Sequence, residues 1–277
     1  MCVTSTTCSA SWSITGSQED VIASSVYVVS DIHGHLDALE RALEIVDLDG
    51  DPGAKLMLLG DYVDRGPSSR QVLERVRALQ QEHGDRVVAL LGNHDCWLLD
   101  WLDADDAEYD WLHSDIGFAT VHSFVTEQFV DPIPTSATGA QINATIKREL
   151  VDRHGDLIAW LRGLPLLHEA DHAIFVHAGV DEDAGQLWRA ATPEYVLTEK
   201  YPASRGPFVK TIIAGHVRTS ELHADGSHEV FHDGASHYYI DAAVEETGRL
   251  NVLKYDVKNR EFSWQMTPAA SPRSEAR

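Results

Sequence analysis

The sequence predicts an α/β fold in which parallel strands alternate with helices. Short and nearly continuous apolar runs at 26–29, 55–59 and 86–91 are typical of strands that are buried on both faces of a sheet. Between them, at 36–46 and 72–79, apolar residues recur every three or four positions, which indicates amphipathic helices. The alternation of strands and helices predicts parallel strands that are joined by right-handed crossovers. The carboxyl ends of such strands meet at one edge of the sheet, where binding groups are expected.

The pattern changes after the third predicted strand. We interpret 98–150 as a mostly helical insertion, followed by a helix that ends near 160–161. The nearby aromatic residues Trp97, Trp101 and Trp111 suit a pocket wall, although core packing is the commoner use of such side chains. Five further strands are expected at 173–176, 211–214, 238–240, 250–255 and 261–266. In the later ones apolar and polar residues alternate and a turn precedes the strand, which is typical of antiparallel pairing.

One domain carrying this insertion is expected to span residues 25–266. We interpret the Ser/Thr-rich segment 1–24, which lacks periodicity, as a flexible leader, and 267–277 as a polar tail. With 43% hydrophobic and 24% charged residues, the chain has the composition of a folded, soluble protein. The sequence carries no coiled-coil or edge-pairing signal, so we expect a monomer.

Charge and hydropathy argue against two classes of partner. The formal net charge is -22, and the clusters of lysine and arginine with which proteins neutralise nucleic-acid phosphates are absent. No run approaches the roughly 18 apolar residues of a membrane-spanning helix. The amino terminus lacks a signal-peptide pattern, and the few cysteines do not form a disulfide framework. We therefore expect a cytoplasmic protein that binds neither nucleic acid nor a membrane.

Polar residues follow five of the predicted strands at the point where each strand ends. Carboxylates, imidazoles and an amide oxygen together suit Mn²⁺, Fe²⁺ or Zn²⁺ and disfavour a metal that prefers thiolates. Asp61 is the candidate bridge, because one carboxylate can hold two cations at the roughly 3.5–4 Å spacing of two-metal sites, where a shared water becomes more acidic. The candidate metal ligands are Asp31, His33, Asp61, Asn93, His177 and His216.

Two of these segments are specific in sequence, namely Gly-Asp-Tyr-Val-Asp-Arg-Gly at 60–66 and Gly-Asn-His-Asp at 92–95. With them, and in the order and spacing of its motifs over roughly 26–257, the chain resembles the calcineurin-like metallophosphoesterase superfamily. The resemblance is to the branch of phosphoprotein phosphatases that also contains the symmetrical diadenosine tetraphosphatases. It implies a two-sheet β-sandwich flanked by helices, metals at the carboxyl ends of the strands, and hydrolysis by a metal-bridging hydroxide.

The resemblance also implies roles for residues that are not metal ligands. His94 matches the general acid that protonates the leaving group, and Asp64 matches the carboxylate that orients its imidazole. Arg65 matches the clamp whose planar guanidinium binds two phosphoryl oxygens. The family has a second phosphate-binding arginine between the last two histidine ligands. The candidates for that role are Arg189, which we favour, Arg205 and Arg218.

The substrate signals conflict, and they favour a serine/threonine-type protein phosphatase over the alternative, a symmetrical diadenosine tetraphosphate hydrolase. Protein phosphatases of this branch keep Asp64, whereas the dinucleotide hydrolases often replace it. Asp95 and the Gly-Pro-Ser-Ser run after Arg65 favour the dinucleotide hydrolases. The resemblance implies two divalent cations, with Mn²⁺ favoured and Fe or Zn as alternatives, and a phosphorylated protein or a small phosphoester as the substrate.

Two other classes of function compete with these hydrolases. One is a degenerate metal-binding module that presents the insertion to a protein partner, but it leaves the joint presence of ligands, acid, orienting carboxylate and clamp unexplained. The other is a metal-dependent nuclease of the same superfamily, which would need a basic groove that the sequence does not provide.

Overall fold

Two five-stranded sheets form the centre of the protein in a computed structural model that describes residues 23–105, 115–125, 138–171 and 173–269. The first sheet has the strand order β10-β9-β1-β2-β3, and the second has the order β4-β5-β6-β8-β7. The strands are β1 Ser25–Val29, β2 Lys55–Leu58, β3 Val87–Ala89, β4 Leu167–Glu169, β5 Ala173–Val176, β6 Thr211–Arg218, β7 Phe231–His232, β8 His237–Asp241, β9 Asn251–Asp256 and β10 Glu261–Met266. The α/β class and the two flanked sheets agree with the fold that the sequence predicts.

Helices connect and cover the strands. The predicted amphipathic stripes form the first two helices, and the longest helix starts with a capping box in which Thr138 and Gln141 bond each other's backbone amides. The described helices are α1 Leu36–Leu43, α2 Ser69–His83, α3 Asn93–Asp103, α4 Asp115–Phe124, α5 Gly139–Arg162, α6 Trp188–Ala191, α7 Glu194–Glu199, α8 Thr219–Leu222 and α9 Val244–Thr247. None of those within the described ranges is long and apolar enough to cross a membrane.

The segment interpreted as an insertion is helical wherever the structure describes it, apart from a few residues at the edges of the described ranges. It contains most of α3, all of α4 and the first half of α5, which continues to Arg162 and so forms the helix expected to end near 160–161. Trp111, most of the leader 1–24 and most of the tail 267–277 lie outside the described residues. The domain boundaries therefore stay a prediction.

Strand direction in the second sheet differs from the sequence expectation. The later strands were expected to be antiparallel, which holds for β9, for β10 and for the pair of β7 and β8, but β8 also pairs in parallel with β6, with Ile212 opposite His237. The reason is the connection, because the chain leaves β6 through α8 and runs back along β7 at the edge of the sheet before β8 begins. The short strands β4 and β7 were not predicted, since runs of two or three residues show no periodicity.

The interface between the two sheets explains the continuous apolar runs. Alternate residues of β1 and β2, such as Val28 and Met57, pack with Phe175, Ile213 and Leu253 from the other strands in one cluster, and all five side chains are buried. The residues between them face the helices in a second, larger cluster. Each side chain of this size contributes roughly 1.5–3 kcal/mol when fully buried. Both faces of each central strand are thus apolar, and only the strand ends are left for polar groups.

An ion-pair cluster fixes the start of β8, away from the polar strand ends. The imidazole of His237 is buried, with Nδ1 2.8 Å from Asp233 Oδ2 and Nε2 3.3 Å from Glu182 Oε2, and Lys200 Nζ lies 3.0 Å from Glu182 Oε1. Burial alone would lower the pKa of His237, but its bonds to the two carboxylates raise it above the usual value. Protonated His237 therefore favours the folded state.

We expect this cluster to make stability depend on pH in a defined direction. A histidine with a raised pKa in the folded state stabilises fully below its unfolded pKa, near 6.5, and the contribution is lost as pH rises through the folded value. His237→Gln should lower the free energy of unfolding at pH 6 by on the order of 1–3 kcal/mol and much less at pH 9. Urea unfolding at both pH values measures the difference, and the exposed neighbour variant His232→Gln is the control. An equal loss at both pH values would contradict the role of the proton.

Candidate metal and catalytic site

The backbone at the strand ends adopts a conformation that most residues avoid. In the described chain, eight residues other than glycine have a positive φ, and six of them belong to the predicted site. Such a conformation costs on the order of 1–3 kcal/mol per residue and persists only where the surrounding structure enforces it. The six are Asp31 (52°), His33 (44°), Asp61 (55°), Asp64 (71°), Arg65 (63°) and His216 (60°).

Two glycines allow the carboxylates to lie directly against the backbone. A Cβ atom at Gly92 would overlap Oδ1 of Asp61, and a Cβ atom at Gly215 would overlap Oδ2 of Asp31. A backbone amide just after each glycine donates to the same carboxylate: His94 N, two residues after Gly92, to Asp61 Oδ1 at 3.0 Å, and His216 N, directly after Gly215, to Asp31 at 3.1 Å. Both carboxylates are therefore fixed in position by main-chain atoms of another strand's loop.

Asp95 joins the loops that follow β2 and β3. Its carboxylate accepts the backbone amides of Asp61 at 2.8 Å, Tyr62 at 3.0 Å and Gly92 at 3.0 Å. Burial raises the pKa of Asp95 to about 7 in spite of these three hydrogen bonds. In the sequence, Asp95 only distinguishes branches of the family. In the structure its carboxylate bonds the backbone at Asp61 and at Gly92, and so holds the loop of Asp61 against the loop that carries Asn93.

The two buried carboxylates, Asp31 and Asp61, have no lysine or arginine salt-bridge partner among the described residues. Burial raises the pKa of both groups, because negative charge is poorly solvated there. The charge of Asp31 also raises the pKa of Asp61, so this pair of buried carboxylates needs a cation or protons to neutralise it.

Two imidazoles present bare nitrogen atoms to Asp61. Nδ1 of His33 lies 2.9 Å from the carbonyl of Val63, and Nδ1 of His177 lies 2.9 Å from the carbonyl of Leu59. With the proton on Nδ1, each Nε2 carries a lone pair and lies 3.5 Å from Asp61 Oδ2. Burial lowers the pKa of both rings, to about 3 for His177, so they are neutral. This arrangement of ring and carbonyl is the usual one for histidines that bind metals.

The remaining two candidate ligands converge on the same point. Oδ1 of Asn93 lies 2.9 Å from Nε2 of His177 and 3.1 Å from Nδ1 of His216, whose pKa burial lowers to about 4. With the proton of His177 on Nδ1, Nε2 of His177 and the carbonyl oxygen of Asn93 are two electron-pair donors that face each other, as ligands of one cation do. The six predicted ligands thus form one group of electron-pair donors, buried except for the partly buried His216, and the donor set fits divalent cations.

Asp61 occupies the centre of this donor group. Its carboxylate is shared by two sets of side chains whose ligand atoms lie within 4.8 Å of one another, one with His33 and His94 and one with Asp31 and His177. A shared carboxylate is the arrangement that the predicted bridging role of Asp61 requires.

His94 faces this group through one nitrogen and is held by the other. Its Nδ1 lies 2.7 Å from Asp64 Oδ2, and its Nε2 lies 4.0 Å from Asp61 Oδ2. Thr120 on α4 supports Asp64 by donating its hydroxyl to Oδ1 at 2.6 Å and accepting the Asp64 amide at 2.8 Å. Sequence reasoning missed Thr120, because nothing near it resembles a motif. His94 is therefore fixed with Nε2 pointing at the donor group.

The predicted arginines separate into two locations. Nη2 of Arg65 lies 3.4 Å from Nε2 of His94, so Arg65 belongs to the site. The structure does not bring Arg189 there, because it pairs with Glu169, which lies opposite Ile174 near the start of β5 rather than at the strand's carboxyl end. The local sequence gave no sign of β4, which carries this competing carboxylate.

The two alternatives for the second arginine also differ. The guanidinium of Arg205 stacks on the ring of Phe231 at 4.8 Å. Arg218 instead follows the candidate ligand His216 by two residues and shares Glu245 with Arg65. Arg218 is thus the alternative that lies beside the site.

The aromatic residues near the insertion have different uses. Trp101 is fully buried, and its indole nitrogen donates to Asn143 at 2.9 Å, so it belongs to the core. Trp97 lies beside the site, with its ring centroid 4.5 Å from that of His94 and its indole nitrogen 3.1 Å from Glu199 on α7. Trp97 is therefore the side chain of this group that can contact a ligand near His94.

Curated relatives match part of the chain. It is 33% identical over 192 residues to a symmetrical bis(5'-nucleosyl)-tetraphosphatase of Thioalkalivibrio sulfidiphilus, covering 68% of this chain and 56% of the relative. It is 35% identical over 159 residues to the enzyme of the same name from Aromatoleum aromaticum, covering 56% of this chain and 44% of that relative. The chain spans about half the length of the curated relatives it matches.

Solved structures share the fold. A candidate diadenosine tetraphosphatase aligns with a TM-score of 0.55 at 20% identity over 90% of this chain and 96% of its own. A Saccharomyces cerevisiae serine/threonine phosphatase similar to human PP5 aligns with a TM-score of 0.54 at 14% identity, covering 92% of this chain and 83% of its own. The profile of the calcineurin-like phosphoesterases matches residues 24–257. The chain belongs to the calcineurin-like phosphoesterase family.

Proposed function

We propose that the site hydrolyses dinucleoside polyphosphates symmetrically, so that a dinucleoside tetraphosphate and one water yield two nucleoside diphosphates. The observation that carries this proposal is the similarity to relatives named symmetrical bis(5'-nucleosyl)-tetraphosphatases, the first of them 33% identical over 192 residues. The sequence alone favoured a serine/threonine-type protein phosphatase, but these relatives support the alternative that it left open. The likeness to a protein phosphatase is one of fold only.

The metal-binding part of the proposal uses the converging donor group. By the resemblance in motif order, Asp31, His33 and Asp61 would hold one divalent cation, and Asn93, His177 and His216, together with Asp61, would hold a second. The contacts of Asn93 with both histidines and the position of Asp61 in both groups of converging ligand atoms support this proposal. When bound, such ions supply a reactive water near neutral pH and neutralise charge on the phosphoryl oxygens. Carboxylate, imidazole and amide ligands favour Mn²⁺, with Fe or Zn as alternatives.

The remaining residues bind the phosphoryl group and move a proton. Arg65, with Nη2 beside His94, is placed to bind nonbridging oxygens as their charge increases during reaction. Water adds to phosphorus, the bond to the bridging oxygen breaks, and Nε2 of His94 delivers a proton to that oxygen. Asp64 keeps the ring oriented and stabilises it while it is protonated, through the 2.7 Å bond to Nδ1.

One observation favours a second candidate function, the hydrolysis of phosphate monoesters of alcohols, as in phosphoserine or phosphothreonine proteins. The buried pair of His94 and Asp64, supported by Thr120, forms a complete general acid. An alkoxide is a poor leaving group and needs a proton, whereas a nucleoside diphosphate leaves as a stable anion. The acid is therefore more important for an alcohol ester than for the dinucleotide.

We expect His94→Asn to separate these two functions. Loss of a general acid typically costs about 10²–10⁴ in rate, so turnover of a phosphoserine peptide should fall by this factor. Turnover of diadenosine tetraphosphate should fall roughly tenfold or less, because its leaving group needs little protonation. The specificity constants of both proteins for the dinucleotide, a phosphoserine peptide and a phosphotyrosine peptide measure this, with bound metal determined in parallel.

The wild-type comparison tests the proposed substrate directly. A dinucleotide specificity constant larger than that of either peptide by roughly tenfold or more, with only nucleoside diphosphate as product, supports the proposal. A preference for the phosphoserine peptide, or products other than two nucleoside diphosphates, would contradict it.

We also expect metal binding to stabilise the fold through Asp61. A ligand at 100 times its dissociation constant adds about 2.7 kcal/mol, and roughly 2–4 °C in Tm accompanies each kcal/mol in a domain of this size. Added Mn²⁺ should therefore raise the Tm of the metal-free protein by roughly 5–10 °C. Asp61→Asn should lose most of this shift. Asp64→Asn is the matched control, because it alters the same loop without removing a ligand, and an equal loss there would contradict the assignment.

A further inference from the structure

One carboxylate joins two arginines at the edge of the site. Oε1 of Glu245 accepts a hydrogen bond from Nη1 of Arg65 and another from Nη2 of Arg218, the latter at 2.6 Å. Because both nitrogens lie within hydrogen-bond distance of one atom, they are within about 6 Å of each other. No sequence motif indicated Glu245, which follows Arg65 by 180 residues.

Strand pairing and local hydrogen bonds fix the position of Glu245. Arg218 at the end of β6 is paired with Asp241 at the end of β8, so the residues that follow both strands are neighbours. Thr219 donates its hydroxyl to the Asp241 carbonyl at 3.0 Å, and Arg41 donates to the carbonyl of Gly248 at 2.7 Å. The short helix α9, which carries Glu245, is thus tied to β6 on one side and to α1 on the other.

The charge of Glu245 allows the two arginines to lie side by side. Burial alone would raise its pKa, but the neighbouring Arg65 and Arg218 lower it, so the carboxylate is ionised. Without it, two guanidinium groups at this spacing would repel each other. Its second oxygen, Oε2, is buried and has no hydrogen-bond partner among the described residues. A carboxylate with one unsatisfied oxygen is a poor source of stability, which points to a role in function.

Both arginines keep donors for a ligand. A guanidinium has five N–H groups, and Arg65 uses one of them on Glu245 while its Nη2 lies beside His94. Arg218 uses one on Glu245 and one on Glu246, whose carboxylate is about half exposed. At least three donors of Arg218 therefore remain for phosphoryl oxygens.

We propose that Glu245 is a positioning residue that holds Arg65 and Arg218 as a pair, so that Arg65 binds the phosphoryl group under attack and Arg218 binds the adjacent one. The proposal rests on the proposed function, because only a polyphosphate has a second phosphoryl group next to the first. Neighbouring phosphoryl groups share a bridging oxygen, so their nonbridging oxygens are spaced closely enough for two arginines that share one carboxylate oxygen.

Binding of two nonhydrolysable probes to the Mn²⁺-loaded protein tests this pairing. Calorimetric titration with methylenediphosphonate and methylphosphonate compares two linked phosphoryl-like groups with one. Arg218→Ala should weaken diphosphonate binding about tenfold or more, as expected for a lost charged hydrogen bond, and change methylphosphonate binding less than about twofold. Glu245→Ala should weaken both probes, with the larger loss for the diphosphonate.

Conservative and matched variants separate positioning from structure. Glu245→Gln keeps an acceptor oxygen and should restore part of the diphosphonate affinity that Glu245→Ala loses, so it also covers the case in which Glu245→Ala folds poorly. Glu246→Gln is the control, since it alters the same helix and removes an exposed bond to Arg218 alone. It should change binding of either probe less than about twofold. For the dinucleotide, the Glu245 variants should raise KM more than they lower kcat.

Three results would overturn the proposal. Tighter diphosphonate binding in Glu245→Ala would mean that the carboxylate blocks the phosphate site. Equal losses for both probes in Arg218→Ala would mean that Arg218 binds the attacked phosphoryl group, and unchanged binding would remove it from the site. Failure of the proposed function is distinguishable, because an absence of dinucleotide turnover with the probe discrimination intact would contradict that function alone.

Discussion

The burial of Asp31 and Asp61 without a lysine or arginine salt bridge in the described part of the chain is the constraint on which the rest of the site depends. The glycines beneath the two carboxylates, the strained loops and the backbone bonds from other loops all serve to keep this negative charge in place. The imidazoles are neutral and point lone pairs inward, which adds no compensating charge. Only a bound cation, or protonation, balances such a group. The residues of the site thus bury a negative charge that a bound cation would neutralise.

The candidate metal ligands were predictable from sequence because five of them follow the end of a strand and His216 lies near the end of β6, and parallel strands bring their carboxyl ends together. The residues that support the ligands were not. Thr120 and Glu245 act on residues 56 and 180 positions away, and Asp95 acts across two loops. These contacts depend on tertiary packing, which leaves no periodic or local signal. Arg189 shows the same limit, since its partner Glu169 lies on a strand too short to be recognised.

The fold was predicted most completely where a strand is buried on both sides. The runs that form β1, β2 and β5 are apolar apart from Ser25 and Lys55 at the starts of β1 and β2, because one face packs between the sheets and the other against helices. The antiparallel pairing expected for the later strands holds between β8 and β7 but not between β8 and β6, because alternation indicates which side chains are buried and not which neighbour a strand pairs with. Pairing direction is decided by the route of the connecting chain, and that route is a property of the whole sheet.

The hydroxyl of Thr120 supports Asp64, and through it the candidate acid His94, from a position outside every recognisable sequence motif. It is bonded both to the amide and to the carboxylate of Asp64, yet it lies on α4, a helix that supplies no metal ligand. Under the proposed roles, a change at Thr120 alters the support of the residue that protonates the leaving group and leaves every candidate metal ligand in place. The preference for a leaving group can then change through α4 without a change in the candidate metal site.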